Sequence, residues 1–229
     1  NGLYVWAHRG YYNSDAEVPR LYKIDGQEIY FNGVATDGIS GAVGNYRLLD
    51  LDGDGNPDSY YAGSPLPLAH GGWVNELMWK NFDLNIFFAW SYGNDVLNAN
   101  RLVFESGWRS QTNQLASYAD RWSPENPASN IPRVNAVGRE EYSSRVIEDG
   151  SFLRLKNVSL GYTLPSRSLR KAGISQMRVY VSADNIWTLT GYSGPDPEVS
   201  TRNSVLTPGF DWSAYPRAFG FTAGVNLTF

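Results

Sequence analysis

The most chemically suggestive stretch of the sequence is an aspartate-rich segment. Its oxygen-bearing side chains recur with the spacing of loops that wrap around a hard cation, and they are Asp50, Asp52, Asp54, Asn56 and Asp58. Gly55 stands at the sixth position, where such a loop turns sharply, but Tyr61 replaces the bidentate glutamate of the calcium template. One interpretation is therefore a structural Ca²⁺ site. The other is a turn in which the Asp and Asn side chains bond their own backbone.

Residues typical of catalysis do not combine into a recognisable site. His8 and His70 are far apart in the chain and lack ligand-like neighbours. Glu140 and Glu141 stand close to Arg139 and Arg145, which predicts a solvated salt-bridge group instead of an acid–base pair. The sequence contains no nucleophile elbow and no triad. We therefore do not expect this protein to be an enzyme or to require a cofactor.

The final residues indicate the kind of element that positions the rest. From 219 onwards, apolar side chains occupy every second position, namely Phe219, Phe221, Ala223, Val225, Leu227 and Phe229. Small and polar residues fill the alternate positions, namely Gly220, Thr222, Gly224, Asn226 and Thr228. This pattern favours a transmembrane β-strand whose apolar row faces lipid and whose small polar row faces a lumen.

The same alternation recurs in four earlier segments. It is clearest over 82–91, and it also occurs over 73–79, 157–163 and 177–184. Lys80 and Asn81 predict a tight hairpin turn. The phase of the pattern slips between Leu155 and Val158, which predicts a bulge or a strand end. The segment from Leu3 to Tyr12 is a weaker candidate.

The composition agrees with a polar-lined membrane barrel. The chain has 229 residues, a net charge of −4 and no cysteine, which argues against a nucleic-acid partner and excludes disulfides. No run of about eighteen apolar residues occurs, so no transmembrane helix is predicted. Since an outer-membrane protein requires export and the chain begins at Asn1, we interpret that start as a cut end.

The connections between the predicted strands alternate between long and short. They are long at about 13–68, 92–151 and 188–216, and short at 80–81 and 164–175. Transmembrane barrels have this asymmetry, with short periplasmic turns and long outer loops. Tryptophan and tyrosine near the strand ends suit interfacial girdles, namely Trp73, Trp79, Trp90, Tyr92, Trp187 and Tyr192. Five or six strands cannot close a membrane barrel, which needs about eight, so further strands are expected from elsewhere.

Several local motifs together resemble the SusC/RagA family of TonB-dependent outer-membrane transporters. They are RWSPENP at 121–127, IPR at 131–133, SFLRLKNVSLGYTLP at 151–165, KNFDL at 80–84, YGN at 92–94, ADN at 183–185, GPDPE at 194–198 and the terminal Phe229. The resemblance covers residues 44–229 and matches the family's C-terminal quarter. The predicted fold class is accordingly all-β, an antiparallel transmembrane β-barrel segment with long extracellular loops.

The resemblance implies properties that the residues alone do not. It implies a 22-stranded barrel in the bacterial outer membrane, with a plug domain and N-terminal strands absent from this chain. It implies active import of oligosaccharides or peptides, powered by the TonB complex, together with a SusD-like surface lipoprotein. It also implies that Phe229 is recognised by the barrel assembly machinery. The exposed alternation of the terminal strand, with Phe221, Val225 and Leu227, is the other feature that such recognition is expected to use.

Candidate contacts with a solute come from the polar rows and from the loops. The lumen-facing candidates are Asp83, Asn85, Arg178, Tyr180, Asp184 and Asn226. Loop aromatics that can stack on a sugar or contact a lid protein are Trp108, Trp122, Tyr192, Trp212 and Tyr215, although local packing is the expected role of most of them. Two alternatives remain open at this point, a soluble secreted glycan-binding β-sandwich and a passive porin.

Overall fold

The computed structural model of the chain describes residues 2–6, 8–11, 13, 21–22, 28–29, 44, 46–48, 51–52, 58–107, 111–134, 142–165, 169, 173–198 and 208–229. Over these residues the strands are β1 (Leu3–Trp6), β2 (His8–Tyr11), β3 (Leu21–Tyr22), β4 (Glu28–Ile29), β5 (Tyr46–Leu48), β6 (Ser59–Gly63), β7 (Ala69–Trp79), β8 (Phe82–Tyr92), β9 (Asp95–Asn98), β10 (Ile147–Asp149), β11 (Phe152–Thr163), β12 (Gln176–Thr190), β13 (Phe210–Asp211) and β14 (Gly220–Thr228).

Helices are short in the same part of the chain. They are the α-helix Asn100–Phe104 and the 3₁₀ helices Ala116–Asp120 and Ser144–Val146. None of the helices in the described ranges is long and apolar enough to cross a membrane. The chain divides into two compact units, one built from 1–65, 96–148 and 200–213 and the other from 66–95, 149–199 and 214–229.

The second unit is built on an antiparallel sheet of five long strands. Their order is β14-β12-β11-β8-β7, and each neighbouring pair runs antiparallel. The strands are 9 to 15 residues long, so each reaches the roughly 9–11 tilted residues that cross a bilayer. This confirms the prediction of five spanning-length strands.

Two local predictions of backbone geometry are also confirmed. Trp79 pairs with Phe82 across the two-residue turn, where Lys80 adopts a positive φ of 55°. The register of β11 shifts between Leu155 and Asn157 against both of its neighbours. This bulge explains the slip in the sequence pattern, because it returns the apolar side chains to one face of the sheet.

The register gives the sheet one apolar and one polar face. Across the five strands, one row consists of Leu77, Leu84, Leu160, Val181 and Ala223. The adjacent row on the opposite face consists of Glu76, Asn85, Ser159, Ser182 and Thr222. Because a slip of one residue would exchange the faces of a whole strand, these matched rows specify the register.

The apolar face is open. Phe221 is 66% exposed, Val225 is 53% exposed, and Trp79, Leu227 and Phe229 are exposed as well. A soluble β-sandwich buries such a row against a second sheet. The sandwich alternative is therefore inconsistent with the structure, whereas a face that meets hydrocarbon agrees with it.

Five of the six residues of the predicted aromatic girdle are exposed and belong to the five-stranded sheet, namely Trp73, Trp79, Trp90, Tyr92 and Trp187. Their position at a membrane interface stays a prediction. Tyr192 is buried, with its ring against Gly194, where a Cβ atom would collide with it. The girdle assignment of Tyr192 is therefore wrong, because the chain after β12 turns back and packs this ring locally.

The first unit has its own small core. Val5, Leu97, Ala99, Leu102 and Val146 form a buried cluster. Beside it lies a three-stranded sheet of order β10-β9-β13, in which β13 pairs in parallel with β9. The weaker candidate strand from Leu3 to Tyr12 is divided in two. Its halves, β1 and β2, pair with β6 and β5, and neither belongs to the five-stranded sheet.

Charged side chains are buried in this first unit as well. Arg145 donates to Glu105 at 2.7 Å with both side chains buried, and Arg101 bridges Glu105 and Glu148. The prediction that Arg145 belongs to a solvated group is therefore wrong, since a carboxylate distant in sequence compensates its charge. Glu140 and Glu141 lie outside the described residues.

Candidate functional site

The candidate site is the polar face of the five-stranded sheet. All six lumen-facing candidates lie on this face in the observed register, namely Asp83, Asn85, Arg178, Tyr180, Asp184 and Asn226. Strand alternation alone determines this, because their neighbours in sequence belong to the opposite face. The structure brings Asp83, Arg178 and Tyr180 into contact and places Asn226 directly opposite Arg178.

An ion pair crosses three strands on this face. The guanidinium of Arg178 on β12 donates to both carboxylate oxygens of Asp83 on β8, and the Nε–Oδ1 distance is 3.0 Å. Gly161 of the intervening strand lies beneath the pair, and a Cβ atom there would collide with both side chains. Glycine at this position therefore makes the bidentate contact possible.

A second glycine shapes the same face. The guanidinium of Arg178 lies 5.2 Å from the centre of the Tyr180 ring, which favours a cation–π contact. The Tyr180 ring extends over Gly224 of β14, where a Cβ atom would lie 2.6 Å from the phenol oxygen. The large side chains therefore lie flat along the wall.

Two of the remaining candidates, Asn85 and Asp184, are also held by neighbours. The amide of Asn85 donates to Glu76 at 3.3 Å, and the amide of Asn157 donates to Asp184 at 2.7 Å. A cavity of about 420 Å³ opens beside Asn85 and is bordered by Asp83 and Arg178. This wall offers carboxylate, amide and guanidinium groups in fixed positions, which suits hydrogen bonding to a polar solute. A role in solute contact stays a prediction.

A buried ion cluster joins two of the motifs that carry the family resemblance. Arg154 lies on the polar face of β11, and its guanidinium pairs with Asp196 and, at 3.1 Å, with Glu198. Asp196 is only 2% exposed. Its second oxygen accepts the backbone N–H of Arg217 at 3.0 Å. The GPDPE segment at 194–198 is therefore fastened to the sheet through one arginine.

The outer part of this cluster is more exposed. Lys156 pairs with Glu198 at 2.9 Å, and Arg217 pairs with the same carboxylate at 3.2 Å. The two motifs are recognisable in the sequence, but their contact through Arg154 is not predicted from it. The signal was present, because alternation puts Arg154 on the polar face, and a positive charge there needs a partner.

The ion cluster predicts that the stability of the docked segment depends on pH. Burial alone would raise the pKa of Asp196, but hydrogen bonds from Arg154 and from two backbone N–H groups outweigh it and hold the pKa below its ordinary value of 3.8. The carboxylate therefore stabilises the docked segment above that value, and this contribution is lost as the pH falls through the lower pKa of the folded state.

We expect hydrogen exchange of amides 191–198 in the full-length receptor, corrected for intrinsic rates, to be constant from pH 7 to about pH 4 and to accelerate below. In the Asp196→Asn variant the acceleration should disappear. Equal acid sensitivity in both proteins would contradict this assignment.

The aspartate-rich segment is described only in part. Asp58 accepts the backbone N–H groups of Leu51 and Asp52, the latter at 3.1 Å, which agrees with the turn interpretation. Asp50, Asp54 and Asn56 lie outside the described residues. The calcium site stays a prediction. Anomalous density within about 2.3–2.6 Å of these carboxylates in a calcium-soaked crystal would confirm it, and empty density there would contradict it.

The loop aromatics separate into two groups. Trp122 is buried and donates from its indole nitrogen to Asn13 at 2.8 Å, and Tyr192 is buried, so local packing is confirmed for both. Trp212 and Tyr215 are exposed. Trp108 lies outside the described residues.

A sheet of five spanning-length strands with one open apolar face and one hydrogen-bonded polar face defines the class of transmembrane β-barrel walls. Two solved structures share this fold. The structure of the RagAB peptide transporter matches with a TM-score of 0.71 at 23% identity, over 100% of this chain and 22% of that chain. A RagAB peptide importer in a closed-closed state matches with a TM-score of 0.70 at 24% identity, over 100% and 23%.

Relatives in sequence identify the family. TonB-dependent receptor P3 of Formosa agariphila is 40% identical over 205 residues, 86% of this chain and 20% of the relative. TonB-dependent receptor P26 of the same organism is 35% identical over 196 residues, which are 82% of this chain and 20% of the relative. TonB-dependent receptor SusC of Bacteroides thetaiotaomicron is 29% identical over 192 residues, 80% and 17%. No family model matches the sequence.

Over the segment it spans, the chain therefore belongs to the TonB-dependent receptors, and it is similar to SusC in sequence and to RagAB in fold. It spans about a fifth of the length of these relatives.

Proposed function

We propose that this chain forms part of the wall of an outer-membrane importer that takes up oligosaccharides or peptides. Its role is structural and solute-contacting rather than catalytic. The five strands cross the bilayer, the apolar rows meet lipid, and the long connections face the cell exterior. The observation that carries the proposal is the pair of matched rows, one apolar and one polar, that run across all five strands.

The likeness to relatives supports the choice of active import over passive diffusion. Curated relatives are named TonB-dependent receptors, and a solved neighbour is titled a peptide transporter. Accordingly we propose that the complete protein couples to the TonB complex through a part outside this chain. We also propose a SusD-like surface lipoprotein that covers the outer loops. A passive porin is the competing function, because its wall would have the same two faces.

The proposal is tested by uptake measurements in cells that express the complete receptor. Labelled oligosaccharides and labelled peptides are offered to three strains, the parent strain, one lacking the receptor and one lacking TonB. We expect uptake of at least one class of solute to require both the receptor and TonB. Receptor-dependent uptake that continues unchanged without TonB would indicate a porin, and no receptor-dependent uptake of either class would contradict import altogether.

Assembly gives a further prediction at the end of the chain. Phe229 is exposed and follows β14 on the apolar row, where an assembly factor can reach it. We expect deletion of Phe229 to reduce the amount of receptor in the outer membrane several-fold, with nearly normal transport per assembled molecule. Immunoblots of outer-membrane fractions measure the amount of assembled receptor. Uptake divided by the immunoblot signal measures transport per assembled molecule.

The matched control is Phe229→Tyr, which keeps the aromatic ring and should assemble like the parent. Unchanged yield after the deletion would contradict a role in assembly.

A further inference from the structure

An array of three aromatic rings lies in the first unit. Phe210 and Trp212 stand with their ring centres 6.4 Å apart and their planes within 2° of parallel. Tyr142 lies on the other side of Phe210, with ring centres 6.2 Å apart. The outer rings, Tyr142 and Trp212, are each 43% exposed. The middle ring packs against the buried cluster around Leu97. The array is therefore anchored at its centre and open at both ends.

The backbone fixes the orientation of the array. On one side, β13 pairs with β9, and Asp211 also accepts the backbone N–H of Ala99 at 2.9 Å. On the other side, the backbone N–H of Ser213 donates to the Asn100 side chain at 2.6 Å. Ser213 has a positive φ of 54°, a conformation that a residue with a side chain rarely adopts. Such backbone conformations cluster where a ligand is gripped, and this one directly follows the exposed Trp212.

The surroundings of the array favour a sugar over a peptide. β13 is two residues long and lies at the edge of its sheet, which is too short to add a peptide strand. The charged side chains next to Asn100, which are Arg101 and Glu105, pair with each other instead of with a peptide terminus. A pyranose ring needs a flat apolar surface for its C–H face and polar groups for its hydroxyls. Trp212 supplies the first, and Asn100 with Ser213 supplies the second.

We propose that Tyr142, Phe210 and Trp212, with Asn100 and Ser213 beside them, form a stacking site for a pyranose ring of the imported solute. This inference rests on the proposed import function and chooses oligosaccharides among its substrates. Trp212 provides the main stacking surface, because its ring is already held parallel to its neighbour and little conformational freedom is lost when a sugar binds.

The test uses the complete purified receptor in detergent. Binding of the receptor is measured to a panel of neutral and acidic oligosaccharides and to a library of decapeptides. The variants are Trp212→Ala, Trp212→Phe and Tyr4→Ala, the last being an exposed aromatic of β1 to which no role in solute contact is assigned. We expect Trp212→Ala to weaken binding of the recognised oligosaccharides about tenfold or more. Trp212→Phe should retain most of the affinity, and Tyr4→Ala should leave it within about twofold.

Three results would overturn the inference. They are oligosaccharide binding that is unaffected by Trp212→Ala, binding of decapeptides alone, and binding of no oligosaccharide in the panel. Uptake assays keep the two proposals apart. Normal TonB-dependent uptake by Trp212→Ala with unchanged affinity removes the stacking site and leaves the importer intact, whereas uptake that never depends on the receptor removes the importer itself.

Discussion

The Arg154→Ala receptor is expected to lose the docked conformation of the GPDPE segment at 194–198. Arg154 and Asp196 are both buried, and removal of the guanidinium leaves an aspartate carboxylate without its main counter-charge in a site that water does not reach. Breaking a buried ion pair in this way costs about 3–5 kcal/mol. Hydrogen exchange of amides 191–198 in the full-length receptor measures this as a fall in the free energy of local opening.

Lys156→Ala is the matched control for Arg154→Ala. Lys156 belongs to the same cluster and the same strand, but its contact with Glu198 is partly exposed, so its loss should cost less than about 1 kcal/mol. Asp196→Asn tests the pair from the other side. It keeps an acceptor for only one of the two backbone N–H groups, which bind different oxygens of Asp196. Arg154 nevertheless stays paired with Glu198, so Asp196→Asn should lower the opening free energy by less than Arg154→Ala does. Equal effects of Arg154→Ala and Lys156→Ala would contradict the buried-pair explanation.

The second large effect is expected from a charge on the apolar face. Val181 lies in the central apolar row between Leu160 and Ala223. Val181→Lys should destabilise the receptor in a bilayer by about 2–4 kcal/mol, because the ammonium group would enter hydrocarbon near the middle of the strand. Urea or guanidinium unfolding of the receptor in lipid vesicles, followed by tryptophan fluorescence, measures the free energy of unfolding.

Ser182→Lys is the control for this substitution. Ser182 is the next residue, at the same depth, and lies between Ser159 and Thr222 on the polar face. The same charge there meets a wet, polar wall, and we expect the change in unfolding free energy to stay below about 1 kcal/mol. A larger loss from Ser182→Lys than from Val181→Lys would reverse the assignment of the two faces.

Much of the five-stranded sheet follows from alternation. The strands around Leu84, Val158 and Val181 were predicted from the period of two, and the slip near Leu155 predicted the bulge. Register follows as well, because only one register matches the apolar rows of neighbouring strands. Local sequence is sufficient here because each strand carries its own two-faced pattern.

The long connections could not be predicted in the same way. The burial of Arg145 depends on Glu105, which lies forty positions earlier, and that of Arg154 on Asp196, forty-two positions later. Periodicity carries no information about such partners. Tyr192 was assigned to a membrane girdle for the same reason, because only the folded chain places its ring against Gly194. Sequence pattern thus identifies the elements, whereas distant pairings determine the site.

The most direct test of the account is the environment of alternate residues on β14 in the complete receptor. Phe221, Val225, Thr222 and Asn226 are each replaced by cysteine in a separate variant. A nitroxide label is attached to the cysteine, and the receptor is reconstituted in lipid bilayers. Electron paramagnetic resonance then compares collision of each label with dissolved oxygen, which concentrates in lipid, and with a water-soluble nickel complex. The account predicts that labels at 221 and 225 favour oxygen and that labels at 222 and 226 do not. Labels at 221 and 225 that collide with neither reagent, as in a sealed protein core, would contradict it.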